Sequence, residues 1–172
     1  MKKILILFSF FYISLMFSQS KENTLIVLDS KKLGLMKDLS KEMEALNPNE
    51  ISTVTVFKDS IIAKNYGAEY GVIVITTKKY ILNTFYKDNI QNSPLNEKIK
   101  SADDLQSIGV VTDKPDSKNQ PYDELSKYIY TNTMNEKISK IESILFMKPE
   151  EAIKINKDWI NGSIEIISSL EK

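Results

Sequence analysis

The chain has no cysteine, no histidine and no arginine; all 23 of its basic residues are lysine. Without cysteine there is no disulfide, no thiolate nucleophile and no Cys-ligated metal. Without histidine the commonest general base and the commonest transition-metal ligand are missing too. Nucleophilic triads of the usual kind cannot be assembled. Only carboxylate, lysine, tyrosine and hydroxyl chemistry remains open. The absence of arginine removes the fork that reads guanine and grips phosphate, and 23 lysines face 23 acids, so no nucleic-acid partner is expected.

What is there begins with the layout of a secretory signal. Lys2 and Lys3 precede an apolar run from Ile4 to Phe17, broken only by serines, and small residues follow in FSQS. The run is shorter than the roughly 20 apolar residues of a membrane span, which leaves a retained anchor as the rival reading. Residues 1–18 are expected to be the signal peptide, with cleavage after Ser18 and Ser20 as the alternative. No cysteine follows, so a lipid anchor is excluded. The expected destination is the periplasm, with secretion or outer-membrane association as alternatives and no transmembrane segment after signal removal. Taking 18 residues from 172 leaves 154, with 21 lysines against 23 acids and a net charge of −2. A composition 42% hydrophobic and 27% charged is that of a globular protein.

TLIVLD (24–29) is a compact apolar strand ending in the turn formers Asp29 and Ser30. Leu35, Leu39, Met43 and Leu46, with Met36 beside them, mark one face of an amphipathic helix, which NPNE (47–50) stops. ISTVTVF (51–57) alternates Val54 and Val56 against Thr53 and Thr55, the pattern of a half-buried strand. A short helix from Lys58 to Tyr66 is started by Asp59 or Ser60 and closed by Gly67. GVIVITT (71–77) is continuous in its apolar residues and reads as a central strand.

This β-α-β-α-β order has an echo. In the segments beginning at Ile51 and Ile141, a lysine falls seven residues on (Lys58, Lys148) and a second six later (Lys64, Lys154). A glycine (Gly71, Gly162) then leads an alternating strand. IGVVTD (108–113) and PYDELSKYIYTNT (121–133) fill the preceding strand and helix slots. Self-similarity in fixed order suggests an internal duplication. Residues 80–107 read as a polar, helical connector in which Tyr80, Ile81 and Phe85 are expected to pack on the preceding strand. TDKPDSKNQP (112–121) is the most turn-rich stretch, a flexible loop by its residues.

The glycines of GAEYGVIVITTKK (67–79) do not form a phosphate loop. Phosphate loops run strand, glycines, helix, so that a helix N-terminus faces the anion. Here a helix ends, the glycines follow and a strand begins, which aims the negative end of the dipole at the loop.

Residues 46–79 instead resemble the plug domain of TonB-dependent outer-membrane receptors, in the style of the Bacteroidetes. Asn47, Pro48, Asn49, Glu50, Ile51, Lys58, Asp59, Tyr66, Gly67, Gly71, Val72, Ile73, Ile75, Thr76, Thr77, Lys78 and Lys79 carry the match. LIVLD resembles the family's first strand. Ser30 stands where the family commonly has glycine, and the usual middle glycine between Gly67 and Gly71 is missing. A receptor barrel of 22 strands at roughly 9–11 residues each exceeds 154 residues, and SSLEK lacks the aromatic ending of such barrels. The resemblance therefore implies a freestanding plug-like module without its β-barrel. An outer-membrane receptor or another envelope protein is the implied partner.

Several side chains stand out chemically. KEME (41–44) with Asp38 is a solvated helix face. Asp103, Asp104, Glu150 and Glu151 suit helix first turns. Lys58 and Lys148 suit strand ends. Asp29 is the candidate ligand contact, while Tyr66, Tyr70 and Trp159, in the helix-to-strand turns, are core anchors or a partner surface. No catalytic residue, metal ligand or cofactor site is expected.

The chain is thus expected to be α+β or α/β, with two related β-α-β-α-β plug-like units forming one compact body. Its parts are a signal peptide (1–18), unit 1 (19–79), a helical connector (80–107) and unit 2 (108–172). The expected function is a non-catalytic envelope interaction or accessory module. A small carboxylate-based hydrolase of envelope glycans or peptides, or a soluble periplasmic ligand carrier, is the alternative.

Overall fold

A computed structural model describes residues 23–58, 61–112, 120–129 and 140–169. The signal segment, its cleavage point, Asp59 and Ser60 as helix starters, residues 113–119 of the turn-rich loop and 130–133 of the helix slot lie outside the described residues. The fold is mixed α+β with two open sheets, one of four strands and one of three. The chain separates into two compact units between Thr77 and Lys78.

In the first unit β1 (Leu25–Leu28) pairs antiparallel with β2 (Lys31–Leu35). Asp29 and Ser30 between them have φ of 49° and 64°. Two successive left-handed residues make the tight hairpin whose twist matches that of its strands. The turn was legible in the sequence; β2 was not, and it claims Leu35 from the expected helix. That helix is shorter, a 3₁₀ turn over Met36–Asp38 followed by α1 (Ser40–Glu44). Its apolar spacing nevertheless works as expected. Met36, Leu39, Met43 and Leu46 pack on Ile26, Ile73 and Ile75 of the sheet. Asn47 then accepts a bond from the Asn49 N–H at 3.0 Å and starts the turn at Pro48.

β3 (Ile51–Phe57) leads to α2 (Ile61–Asn65) and then β4 (Val72–Thr77). The sheet order is β2-β1-β4-β3, with β1 and β4 parallel. β4 is buried on both faces, as its unbroken apolar run requires. Ile73 and Ile75 face α1, while Val72 and Val74 meet Val27, Ala63 and Tyr66 on the other side. Each such aliphatic side chain contributes about 1.5–3 kcal/mol by leaving water. α2 ends as the sequence predicts. Gly67, at φ 73°, donates to the Lys64 carbonyl at 2.8 Å and Ala68 to that of Ala63 at 2.9 Å, the paired bonds of a glycine-closed helix.

The second unit opens with α3 (Lys78–Phe85), which widens into a π-helical turn over Tyr86–Ile90. Two 3₁₀ turns follow, at Pro94–Glu97 and Asp103–Gln106. Then come β5 (Gly109–Val111), α4 (Pro121–Leu125), β6 (Lys140–Met147), α5 (Pro149–Ile155) and β7 (Ser163–Ser169). The sheet order is β5-β7-β6. Residues of the helical connector join the second unit's core: Ile81, Leu82, Phe85, Ile90, Ile99 and Leu105 share one cluster with Leu125, Ile129, Ile164 and Ile166. Helical spacing predicts an apolar stripe without naming what it meets, which is why Ile81 and Phe85 pack here and not on β4.

The two sheets follow one plan. In each, the first strand lies parallel to the last, and the middle strand pairs antiparallel with the last. In each, the antiparallel ladder skips one residue at its start, between Ile51 and Thr53 and between Ile141 and Ser143. A glycine with positive φ precedes each central strand, Gly71 at 106° and Gly162 at 92°. A β-carbon on either would lie 2.9 Å or 2.7 Å from the carbonyl oxygen of Phe57 or Met147, the ends of the matching strands. The glycine carbonyl then accepts from Leu25 N–H at 3.1 Å or Gly109 N–H at 2.9 Å.

Candidate interaction site

Asp29 sits at the end of β1 with its carboxylate turned to the last residue of β4. Thr77 donates its N–H to Oδ1 at 2.8 Å and its hydroxyl to Oδ2 at 2.9 Å. The Asp29 N–H donates to the Ile75 carbonyl at 2.9 Å. This geometry fastens the parallel pair at its carboxyl end.

Tyr66 lies at the other end of the same strands and is 8% exposed, in the cluster with Val27, Val72 and Val74. Lys32 of β2 donates to its carbonyl at 2.7 Å, and the ammonium stands 5.8 Å from the ring centroid. Tyr70, four residues on, is 43% exposed. Asp29 and Tyr70 are separated by the length of β4, about 20 Å at 3.3 Å per residue. They do not form one site.

Trp159 belongs to the second unit. Its indole covers Gly109, where a β-carbon would fall 2.1 Å from the ring. The ring thus packs directly on β5 backbone and is partly exposed. Of the two roles the sequence allows, Tyr66 and Trp159 have the contacts of anchors and Tyr70 the exposure of a contact residue.

The acids take up ordinary positions. Asp104 Oδ2 accepts from the N–H groups of Lys100 and Ser101 at 2.7 and 3.0 Å. Glu150 and Glu151 lie exposed in the first turn of α5, and Asp38, Glu42 and Glu44 are exposed around α1. Lys58 and Lys148 are exposed just past β3 and β6. Among the described residues no group of acids could hold a metal ion, and no helix is long and apolar enough to cross a membrane.

Two buried polar groups escaped sequence reasoning. Glu124 of α4 is 2% exposed; its Oε2 accepts from Lys127 at 2.6 Å and from the Thr112 hydroxyl at 3.3 Å. The bond to Thr112 ties α4 to the end of β5. Ser163, the first residue of β7, is 0% exposed and its hydroxyl has no partner among the described residues. Val72 fills the matching position of the first unit, also at 0%. The strand alternation in SIEIISS carried a further signal. With Ile164 and Ile166 inward, Ile167 had to fall on the same outward face as Glu165.

Fold and site together define a mixed α+β protein of two open-sheeted units. No protein-family model, no curated protein and no solved structure matches the chain.

Proposed function

We propose that this chain is an exported, non-catalytic module of the cell envelope, built from two diverged copies of a plug-like unit, which acts by binding another envelope protein. One observation carries the reading. The segment with the receptor-plug resemblance forms a glycine-led central strand and a one-residue skip in its antiparallel neighbour, and residues 141–169 repeat both. The resemblance supplies the compartment, the periplasm, and the kind of partner, an outer-membrane receptor or a protein associated with one. The side chains of the candidate site favour binding over turnover. Asp29, Asp104 and Glu124 are engaged in bonds that hold the fold, and exposed aromatic and aliphatic groups remain for contact.

The test is affinity capture of the tagged mature chain from envelope extracts, beside a scrambled-sequence control, with cell fractions probed for the protein itself. The expected result is a periplasmic protein that retains one defined outer-membrane partner. Recovery no greater than the control, or a chain confined to the cytoplasm, overturns the proposal.

A further inference from the structure

The two faces of the second sheet differ sharply. One face enters the core through Val110, Ile164, Ile166, Ile144 and Phe146. On the other, the register sets Val111, Glu165 and Leu145 in a single row across β5, β7 and β6. Ile167 stands two residues further along β7 and therefore on the same side. Leu145 is 51% exposed and Ile167 38%, so aliphatic surface borders Glu165 along and across the strand. Glu165 is half-buried between them, and its carboxylate has no ion-pair partner among the described residues.

The matching row of the first unit is Val27–Val74–Thr55, closed at its first two members and exposed at Thr55. There Val27 and Val74 are 0% and 4% exposed in a cluster with Tyr66, which follows the buried Ala63 by three residues. In the second unit the buried alanine is Ala152, and three residues on comes Ile155, smaller and 48% exposed. A glutamate replaces Val74, and the aromatic cover sits one step earlier on the same side, where Trp159 lies over Gly109 beside the buried Ser163.

We propose that this outer face, Val111–Glu165–Leu145 with Ile167, docks an apolar segment of a partner protein that carries one lysine or arginine opposite Glu165. The charge decides the occupant. A purely aliphatic segment would bury the carboxylate without a counter-charge, which costs several kcal/mol, whereas a basic side chain converts the same burial into a desolvated pair. The inference rests on the interaction reading above and gives it a surface.

Two short labelled peptides of leucine and alanine, one with a central lysine and one with a central glutamate, are titrated against the full mature chain by fluorescence anisotropy. The lysine peptide is expected to bind about tenfold more tightly, with the preference shrinking as salt is raised. Glu165→Lys is expected to reverse the preference, and Leu145→Asp to abolish binding of both. Equal binding of the two peptides, or no reversal in Glu165→Lys, overturns the proposal. Leu145 and Glu165 lie outside the core, and unchanged urea midpoints of the variants check that they fold. Envelope capture with the same variants separates the two readings. Capture that survives Leu145→Asp and Glu165→Lys refutes this surface and leaves the interaction module standing. Self-association of the unaltered chain in sedimentation, abolished by Leu145→Asp, makes the occupant a second copy and overturns the proposal as stated.

Discussion

Both oxygens of the Asp29 carboxylate bond to Thr77, and the residue itself sits at φ 49° in the hairpin turn. Asparagine tolerates that backbone and keeps one acceptor, while alanine does neither. Asp29→Ala is therefore expected to lose about 2–3 kcal/mol of stability in urea unfolding, the worth of charge-assisted bonds at a strand end, and Asp29→Asn clearly less. Ser163 predicts the opposite sign. Its buried hydroxyl lacks a partner among the described residues, so Ser163→Ala is expected to raise stability by about 1 kcal/mol, read as a higher urea midpoint. Gly162→Ala combines a left-handed backbone with a β-carbon 2.7 Å from the Met147 carbonyl, and is expected to cost about 2 kcal/mol or more.

At the scale of elements, what could be read from the sequence was what local pattern determines. The strands at 25–28, 51–57, 72–77, 109–111 and 163–169 follow from apolar runs or alternation, and the helix exits from glycine and proline. β2 was invisible because KKLGL carries no alternation, and only its hairpin with β1 makes it a strand. The candidate site was legible in part. Asp29 was picked correctly as a turn residue, but its bond to Thr77 spans 48 residues of sequence, beyond any local signal. The open face around Glu165 emerges only from register, since Leu145 and Val111 become neighbours of that carboxylate by pairing across strands. Long-range packing also decided the fate of α3. Ile81→Ala is expected to cost about 2–5 kcal/mol, lowering hydrogen-exchange protection in β5–β7 while β1–β4 stay protected. Lost protection in β4 alone would return α3 to the first unit.

At the scale of the whole chain, the described residues divide into two units with separate cores, the first with buried clusters on both faces of its central strand β4 and the second with one main cluster on one face of its sheet. Each unit has its own clusters of buried aliphatic side chains against its own sheet. The fragment 78–172 is accordingly expected to unfold cooperatively in urea by itself, and a gradual, non-cooperative transition would argue against that independence. The absence of cysteine leaves the chain without a redox-labile thiol.

Trp159 is the only tryptophan in the protein, and its ring rests on the backbone of Gly109 in the second unit. The molecule thus carries a single optical reporter confined to one of its two halves. Excited selectively, that indole follows the second sheet as it loosens, refolds or meets a partner, with no tryptophan in the first unit to compete. The tyrosines fall in both halves, Tyr66 and Tyr70 in the first unit and Tyr80, Tyr86, Tyr122, Tyr128 and Tyr130 in the second, so their emission is no reporter of the first half alone. Comparing the indole signal with the far-ultraviolet circular dichroism of the whole chain during one unfolding experiment reads out whether the halves let go together or one before the other.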